Sequence, residues 1–177
     1  MKNLVREAVL VSEEIGDVTY VGAVAVFLHT KKTRESRDLD FAVASGLSRE
    51  EAIKKGGYTT HIENNKEVTR TPRQVKVDIY DEDVSEIPVE VIANTAKSIQ
   101  VDKTRGTTLK VACIEALIVS KHRASRHNRP QDNEDLYELA QEKFDEIDWN
   151  LLKDMTKSEH EFDTIKMAMR TLHEIKR

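Results

Sequence analysis

The 177-residue chain sets 28 Lys and Arg against 32 Asp and Glu, a formal net charge of -4, so no global positive field draws it to a nucleic-acid backbone or an anionic membrane. Its length suits one domain, or one compact core with a helical appendix, and excludes two large independent domains. The single cysteine, Cys113, lies in the apolar run 109–119 and excludes an internal disulfide, and the first ten residues lack the unbroken apolar stretch of a secretion signal or membrane span, so a cytoplasmic protein with no membrane partner is expected.

The spacing of Leu4, Val5, Ala8, Val9, Ser12 and Ile15 predicts an opening amphipathic helix, stopped by Gly16. Residues 18–21 read as a strand, after which Gly22 and Ala23 lead into a buried helix over 24–30. Residues 37–44 alternate as a second strand, with Leu39, Phe41 and Val43 on one face and Asp38, Asp40 and Ala42 on the other. Ser48 and Glu51 form a capping-box pattern that starts a short helix, which Gly56 and Gly57 close. Residues 58–63 and 67–71 flank Asn64 and Asn65, a hairpin turn, and 74–80 alternate again with Val75, Val77 and Ile79 inward and Asp78 opposite. Asp81, Glu82 and Asp83 read as a polar turn. A helix over 88–96 begins with Pro88 in its first turn, and short extended pieces follow at 99–101 and 107–109. Helices are then expected over 111–124, 130–143, 149–155 and 158–175, the last opened by a second capping box at Ser158 and Glu161. The fold class is α+β: a mixed sheet flanked by helices over 1–108, with a helical subdomain over 109–177 packed on it.

Asp38 and Asp40 lie two apart on a predicted strand, so their carboxylates leave the same face with Cα atoms about 7 Å apart. Two unneutralised carboxylates at this separation raise each other's pKa, and a bound metal or a basic neighbour is the expected resolution. Hard oxygen donors favour magnesium or manganese. If the strand carrying Asp78 neighbours the first, a third carboxylate completes a site for two ions, which suits in-line attack on phosphorus. Gly22, at a strand-to-helix junction, offers free amides and no Cβ to an approaching phosphate.

With these residues in this order, the chain resembles the polymerase-β-like nucleotidyltransferase superfamily: Val21-Gly22-Ala23, then Arg37-Asp38-Leu39-Asp40-Phe41, then Val77-Asp78-Ile79. Downstream, Glu115-Ala116-Leu117, Lys121, Ala124, Arg126, Asp132 and Asp135 resemble the helical motif of the abortive-infection (AbiEii-like) toxin nucleotidyltransferases. The resemblance implies a minimal nucleotidyltransferase-like core that takes a nucleoside triphosphate and Mg2+ or Mn2+ and modifies a hydroxyl on RNA, protein or a small molecule, with an antitoxin-like partner as a further implication. It also implies that Asp38 and Asp40 bind both metals, that Asp78 binds one and helps deprotonate the acceptor, that Gly22, Ala23 and Arg37 belong to the nucleotide site, that Lys121 contacts phosphate with Arg126 as an anion partner, and that Asp135 orients the basic side chains. Ala23 stands where the family has Gly or Ser, fourteen residues separate it from Asp38, and Gln131 stands where a lysine often precedes the aspartate. These departures bear more on activity than on fold, and they motivate an alternative, a catalytically weak binding or toxin-antitoxin module.

Blander readings compete at each position. A lone Asp-Leu-Asp is more often solvated surface than a metal site, and Gly22 upstream with Asp78 downstream is what separates the two here. Lys31, Lys32, Arg34 and Arg37 read equally as a solvated loop or as a guide for triphosphate or RNA. Lys121, His122, Arg123, Arg126, His127 and Arg129 are denser, and 122, 126 and 129 on one helical face read as a local anion site. The six histidines show no zinc-ligand spacing. Trp149, Leu151, Leu152, Ile165, Met169 and Leu172 read as core. A metal-dependent sugar transferase also uses an Asp-x-Asp pair, but such a pair follows a full nucleotide-binding half, and only 37 residues precede Asp38.

Overall fold

A computed structural model of the chain describes residues 1–32, 35–44, 46–126 and 129–175. The opening helix α1 (Lys2–Ile15) turns Leu4, Ala8, Val11 and Ile15 inward. Strand β1 (Val18–Tyr20) is buried throughout and runs straight into helix α2 (Gly22–Thr30), whose length is apolar on nearly every side because it is enclosed by the rest of the fold. Strand β2 (Asp38–Val43) pairs antiparallel with β1. Helix α3 (Arg49–Gly56) carries a complete capping box between Ser48 and Glu51. Strands β3 (Thr59–Glu63) and β4 (Lys66–Arg70) form a hairpin through Asn64 and Asn65, both left-handed at φ 51° and 61°, the turn that a tight hairpin's twist requires and that asparagine tolerates.

Strand β5 (Lys76–Tyr80) then lies parallel to β2. The acidic stretch that follows is not a plain turn. Asp83 begins a short strand, β6 (Asp83–Val84), which pairs with β7 (Ile87–Pro88) through Ser85 and Glu86, both with positive φ, while Asp81 accepts a hydrogen bond from the Arg49 amide at 2.8 Å. Helix α4 (Val89–Thr95) follows Pro88 directly. The extended pieces expected at 99–101 and 107–109 are longer than their apolar pattern shows: β8 (Lys97–Asp102) and β9 (Thr107–Val111) form an antiparallel hairpin.

Among the described residues seven strands make one mixed sheet in the order β3-β4-β5-β2-β1-β9-β8. Strand β9 joins it parallel to β1, with Tyr20 opposite Val111. The expected helix over 111–124 therefore begins only at Ile114, as α5 (Ile114–Ser125), after a two-residue link in which Cys113 caps the helix by accepting the Ala116 amide. The boundary placed at 108 falls inside β9. Helices α6 (Pro130–Lys143), α7 (Trp149–Asp154) and α8 (Glu159–Glu174) complete the chain. The second capping box is half formed: the Ser158 hydroxyl accepts the Glu161 amide, but the Glu161 carboxylate is drawn to Arg123.

The register decides which side chains meet. Tyr20 pairs with Phe41, and the Tyr20 hydroxyl donates to the Ala8 carbonyl of α1, so α1 covers the Tyr20, Leu39 and Phe41 face. Asp38, Asp40 and Ala42 leave the other face, the side on which α2, α5 and α6 pack. Among the described residues no helix is long and apolar enough to cross a membrane.

Candidate active site

In the parallel pair β2 and β5, Asp40 lies directly opposite Asp78 and Asp38 directly opposite Lys76. Register partners project from the same face, so Asp38, Asp40, Lys76, Asp78 and Tyr80 form one polar patch across two neighbouring strands. The Lys76 ammonium donates to Asp38 Oδ2 at 2.9 Å and to Asp78 Oδ2 at 3.3 Å. Asp38 and Asp78 are open to solvent, with side chains 40% and 43% exposed. Asp40 is partly buried against Gly22, and its carboxyl is pushed up to about 6, first by burial and then by the negative charge of Asp78, with Lys121 and Lys76 pulling the other way.

Gly22 explains how Asp40 can sit so deep. The glycine has φ of +60°, and a Cβ added there would lie 2.2 Å from Asp40 Oδ2 and 2.7 Å from its Cγ. Only a glycine leaves this carboxylate its space. The Val21 amide also donates to the Asp40 carbonyl at 3.1 Å, which ties the start of α2 to the strand bearing the acids. The first amides of α2 have no carbonyl one turn earlier within the helix, so the helix presents donors and the positive end of its dipole beside Asp40.

The patch floors a cavity of about 540 Å³. Its walls come from Val21 and Gly22, from Arg37 before β2, from Tyr80 and the β6–β7 hairpin residues Val84 and Ser85, and from Lys121, Arg129, Gln131 and Asp132. Lys121 is nearly buried, its ammonium 2.8 Å from Asp132 Oδ1 and 2.7 Å from Asp135 Oδ2. Asp132 Oδ2 has no hydrogen bond, with Arg129 Nε at 3.6 Å as its ion-pair partner. The Tyr80 hydroxyl is held protonated by burial and by the charges of Asp40 and Asp78.

Of the nine residues expected from sequence, Gly22, Arg37, Asp38, Asp40, Asp78 and Lys121 line this cavity. Ala23 does not: its buried side chain lies on the other side of α2, against Glu134, Asp135 and Glu138 of α6. Asp135 reaches the cavity only through Lys121. Arg126 is exposed at the end of α5, 3.2 Å from His122, and is absent from the cavity lining. The single helical face expected for 122, 126 and 129 does not form, because α5 ends at Ser125 and Pro130 disfavours helical backbone at Arg129, which stands at the N-cap position of α6. Arg123 is withdrawn into the fold, paired with Glu161 at 2.9 Å and donating to the carbonyls of Ser85 and Met155. Arg34 and His127 lie outside the described residues. Sequence reading passed over Lys76, Tyr80, Ser85 and Ser120. The first two were within its reach, since both share the period-2 face of Asp78 on the same strand.

Among the described residues no three His, Cys, Asp or Glu side chains are already drawn together as a metal cage, since Lys76 holds Asp38 and Asp78 about its own ammonium. The donor set nevertheless fits a hard cation. Three carboxylates on one face, one of them raised by its neighbours' charge, have oxygen lone pairs that a single ammonium does not saturate.

A family model described as "Nucleotidyl transferase of unknown function (DUF2204)" matches residues 2–173. The chain belongs to this nucleotidyl transferase family. No curated protein matches it by sequence. Among solved structures, the DUF2204 chain is similar to an antigenic nucleotidyltransferase-like protein from Paracoccidioides brasiliensis, with TM-score 0.62 and 10% identity over 96% of this chain and 88% of that one. It is similar to JHP933 from Helicobacter pylori, with TM-score 0.54 and 17% identity over 98% and 90%. It is also similar to ANT(2")-Ia in complex with adenylyl-2"-tobramycin, with TM-score 0.53 and 14% identity over 96% of each chain. At these identities the likeness is one of fold, and the fold is nucleotidyltransferase-like.

Proposed function

We propose that this DUF2204 chain transfers a nucleoside monophosphate from a nucleoside triphosphate to a hydroxyl group, with Mg2+ or Mn2+ held by Asp38, Asp40 and Asp78. One observation carries the reading: the three carboxylates leave one face of the sheet at the floor of a single cavity, with Asp40 seated against Gly22 at the start of a helix. Bound there, the ion would shield the triphosphate and stabilise charge as it develops on the transferred group. The remaining work falls to the chain's own residues. The α2 amides at Gly22 and Ala23 receive a phosphate oxygen, where the missing Cβ allows the backbone to approach. Lys121, fixed by Asp132 and Asp135, supplies a positive charge at the opposite wall, and Arg37 supplies one at the rim. Asp78, the most open of the three acids, accepts the proton of the acceptor hydroxyl. The acceptor oxygen then bonds to the α-phosphorus, and the pyrophosphate oxygen leaves with its electron pair.

The alternative of a weak or inactive binding module was motivated chiefly by Ala23. That side chain lies against α6 and outside the cavity, so a hydroxyl there would not face a phosphate in this arrangement. RNA, protein and small-molecule hydroxyls all belong in the acceptor panel, the last because the fold-sharing ANT(2")-Ia is in complex with adenylyl-2"-tobramycin. Purified protein with labelled triphosphates and Mg2+ is expected to label an acceptor or itself and to release pyrophosphate. The double variant Asp38→Asn, Asp40→Asn should lose about a hundredfold or more of that rate. Equal activity of the double variant sinks the assignment.

A further inference from the structure

Lys76 stands out among the cations near the acids because it occupies their shared face and not an opposite wall. It lies two residues before Asp78 on β5 and in register with Asp38 on β2, and its ammonium bonds to one oxygen of each, at 2.9 and 3.3 Å. Lys121 behaves differently. It is clamped between two nearly buried carboxylates of α6 and is itself only 10% exposed. The Lys76 side chain is 29% exposed, with no hydrogen bond other than the two to the acids among the described contacts, so its long stem can swing without leaving a buried charge behind.

The chemistry makes these contacts competitive. A divalent cation on the same two aspartates, even on the lone pairs that Lys76 leaves open, would stand within a few ångströms of the ammonium on their Oδ2 atoms, and like-charge repulsion sets the two against each other. We propose that Lys76 is the resident counter-cation of the acidic site, a positioning residue that keeps Asp38 and Asp78 together without metal and that an incoming divalent cation must displace. The inference rests on the metal-dependent reading above, deepens it, and sets the site's affinity for its ion. Lys76 lowers that affinity, and in return the metal-free protein keeps its three acids in place.

The test is Mn2+ binding, followed by electron paramagnetic resonance on the wild type, Lys76→Met and Lys76→Arg. Removing the competing charge should tighten Mn2+ binding by about tenfold in Lys76→Met, while Lys76→Arg stays near the wild type. Unchanged or weaker binding by a folded Lys76→Met overturns the proposal, and so does absence of Mn2+ binding by wild type and variants alike. A measurement on the wild type guards against misfolding of the variant. After reductive methylation with labelled formaldehyde, the lysine signal missing from Lys76→Arg identifies Lys76, and it should move on addition of Mg2+; a signal that stays in place overturns the proposal. The two readings separate cleanly. Tighter Mn2+ binding by Lys76→Met without any nucleotidyl transfer upholds the counter-cation and removes the transferase, whereas transfer activity with equal Mn2+ affinities does the reverse.

Discussion

The contact between Gly22 and Asp40 gives the sharpest prediction, because it couples backbone conformation to the acidic site. Gly22→Ala places a methyl group 2.2 Å from Asp40 Oδ2, 2.7 Å from its Cγ and 2.9 Å from its Cβ. The carboxylate must move, and the enclosed floor of the cavity gives it little room, so overpacking costs about 1–3 kcal/mol. The left-handed φ of +60° adds about 1–2 kcal/mol for a residue with a Cβ. Together these amount to roughly 2–5 kcal/mol, which for a chain of this size lowers Tm by about 5–15 °C. Gly57→Ala is the matched control: its φ is +64°, yet nothing lies within 4 Å of the added Cβ, so it isolates the backbone cost. Thermal unfolding by circular dichroism should show Gly22→Ala losing clearly more than Gly57→Ala. The added Asp40→Ala change should restore part of the difference by vacating the space. Equal losses in the two single variants would refute the proposed packing of Asp40 on α2.

Other expectations follow from the buried charges. Lys121→Met leaves Asp132 and Asp135 facing each other without their shared cation, and calorimetry or denaturant titration should find a loss of about 3–5 kcal/mol. Glu161 is held down to about 2, chiefly by its hydrogen bonds from Arg123, against an ordinary 4.5. Its folded-state pKa is depressed, so the stability it contributes is fully present above pH 4.5 and disappears as the pH falls towards 2. Glu161→Gln should accordingly be less stable than the wild type by about 2–3 kcal/mol near neutrality, with the two denaturation curves converging over that acid window.

Much of the site was legible because strand alternation is a rigid rule. Once 37–44 and 74–80 read as strands, Asp38, Asp40 and Asp78 had defined faces, and only the adjacency of β2 and β5 awaited coordinates. The hairpin at Asn64 and Asn65 and the box at Ser48 and Glu51 were legible for the same reason, since local turn and cap chemistry fixes them. The misreadings have a common origin in long-range competition. The extended pieces at 99–101 and 107–109 read too short because Lys97, Ser98, Gln100 and Lys110 interrupt the apolar pattern, and pairing of β9 with β8 and β1 sets where the strands end. Glu161 carries a capping-box sequence, but its carboxylate, held by the Arg123 guanidinium of a distant helix, takes the Lys157 amide at 2.7 Å and not that of Ser158. Arg126 has the spacing of a motif residue, yet its place depends on where α5 stops and how the next residues turn away.

The cavity is assembled from segments far apart in the chain: its floor from Val21, Gly22, Asp38, Asp40, Asp78 and Tyr80, its far wall from 120–124 and 129–132. Strand β9 lies between β1 and the edge strand β8, and α5 leaves from it after a two-residue link. A polypeptide emerging from the ribosome can therefore pair β2 with β5 early, but it has no enclosed pocket until α6 has followed. During synthesis the acids spend their time as an open groove beside Lys76, with Lys121 and Asp132 still to arrive. The chain should acquire any grip on a nucleotide in a single late step of its biogenesis.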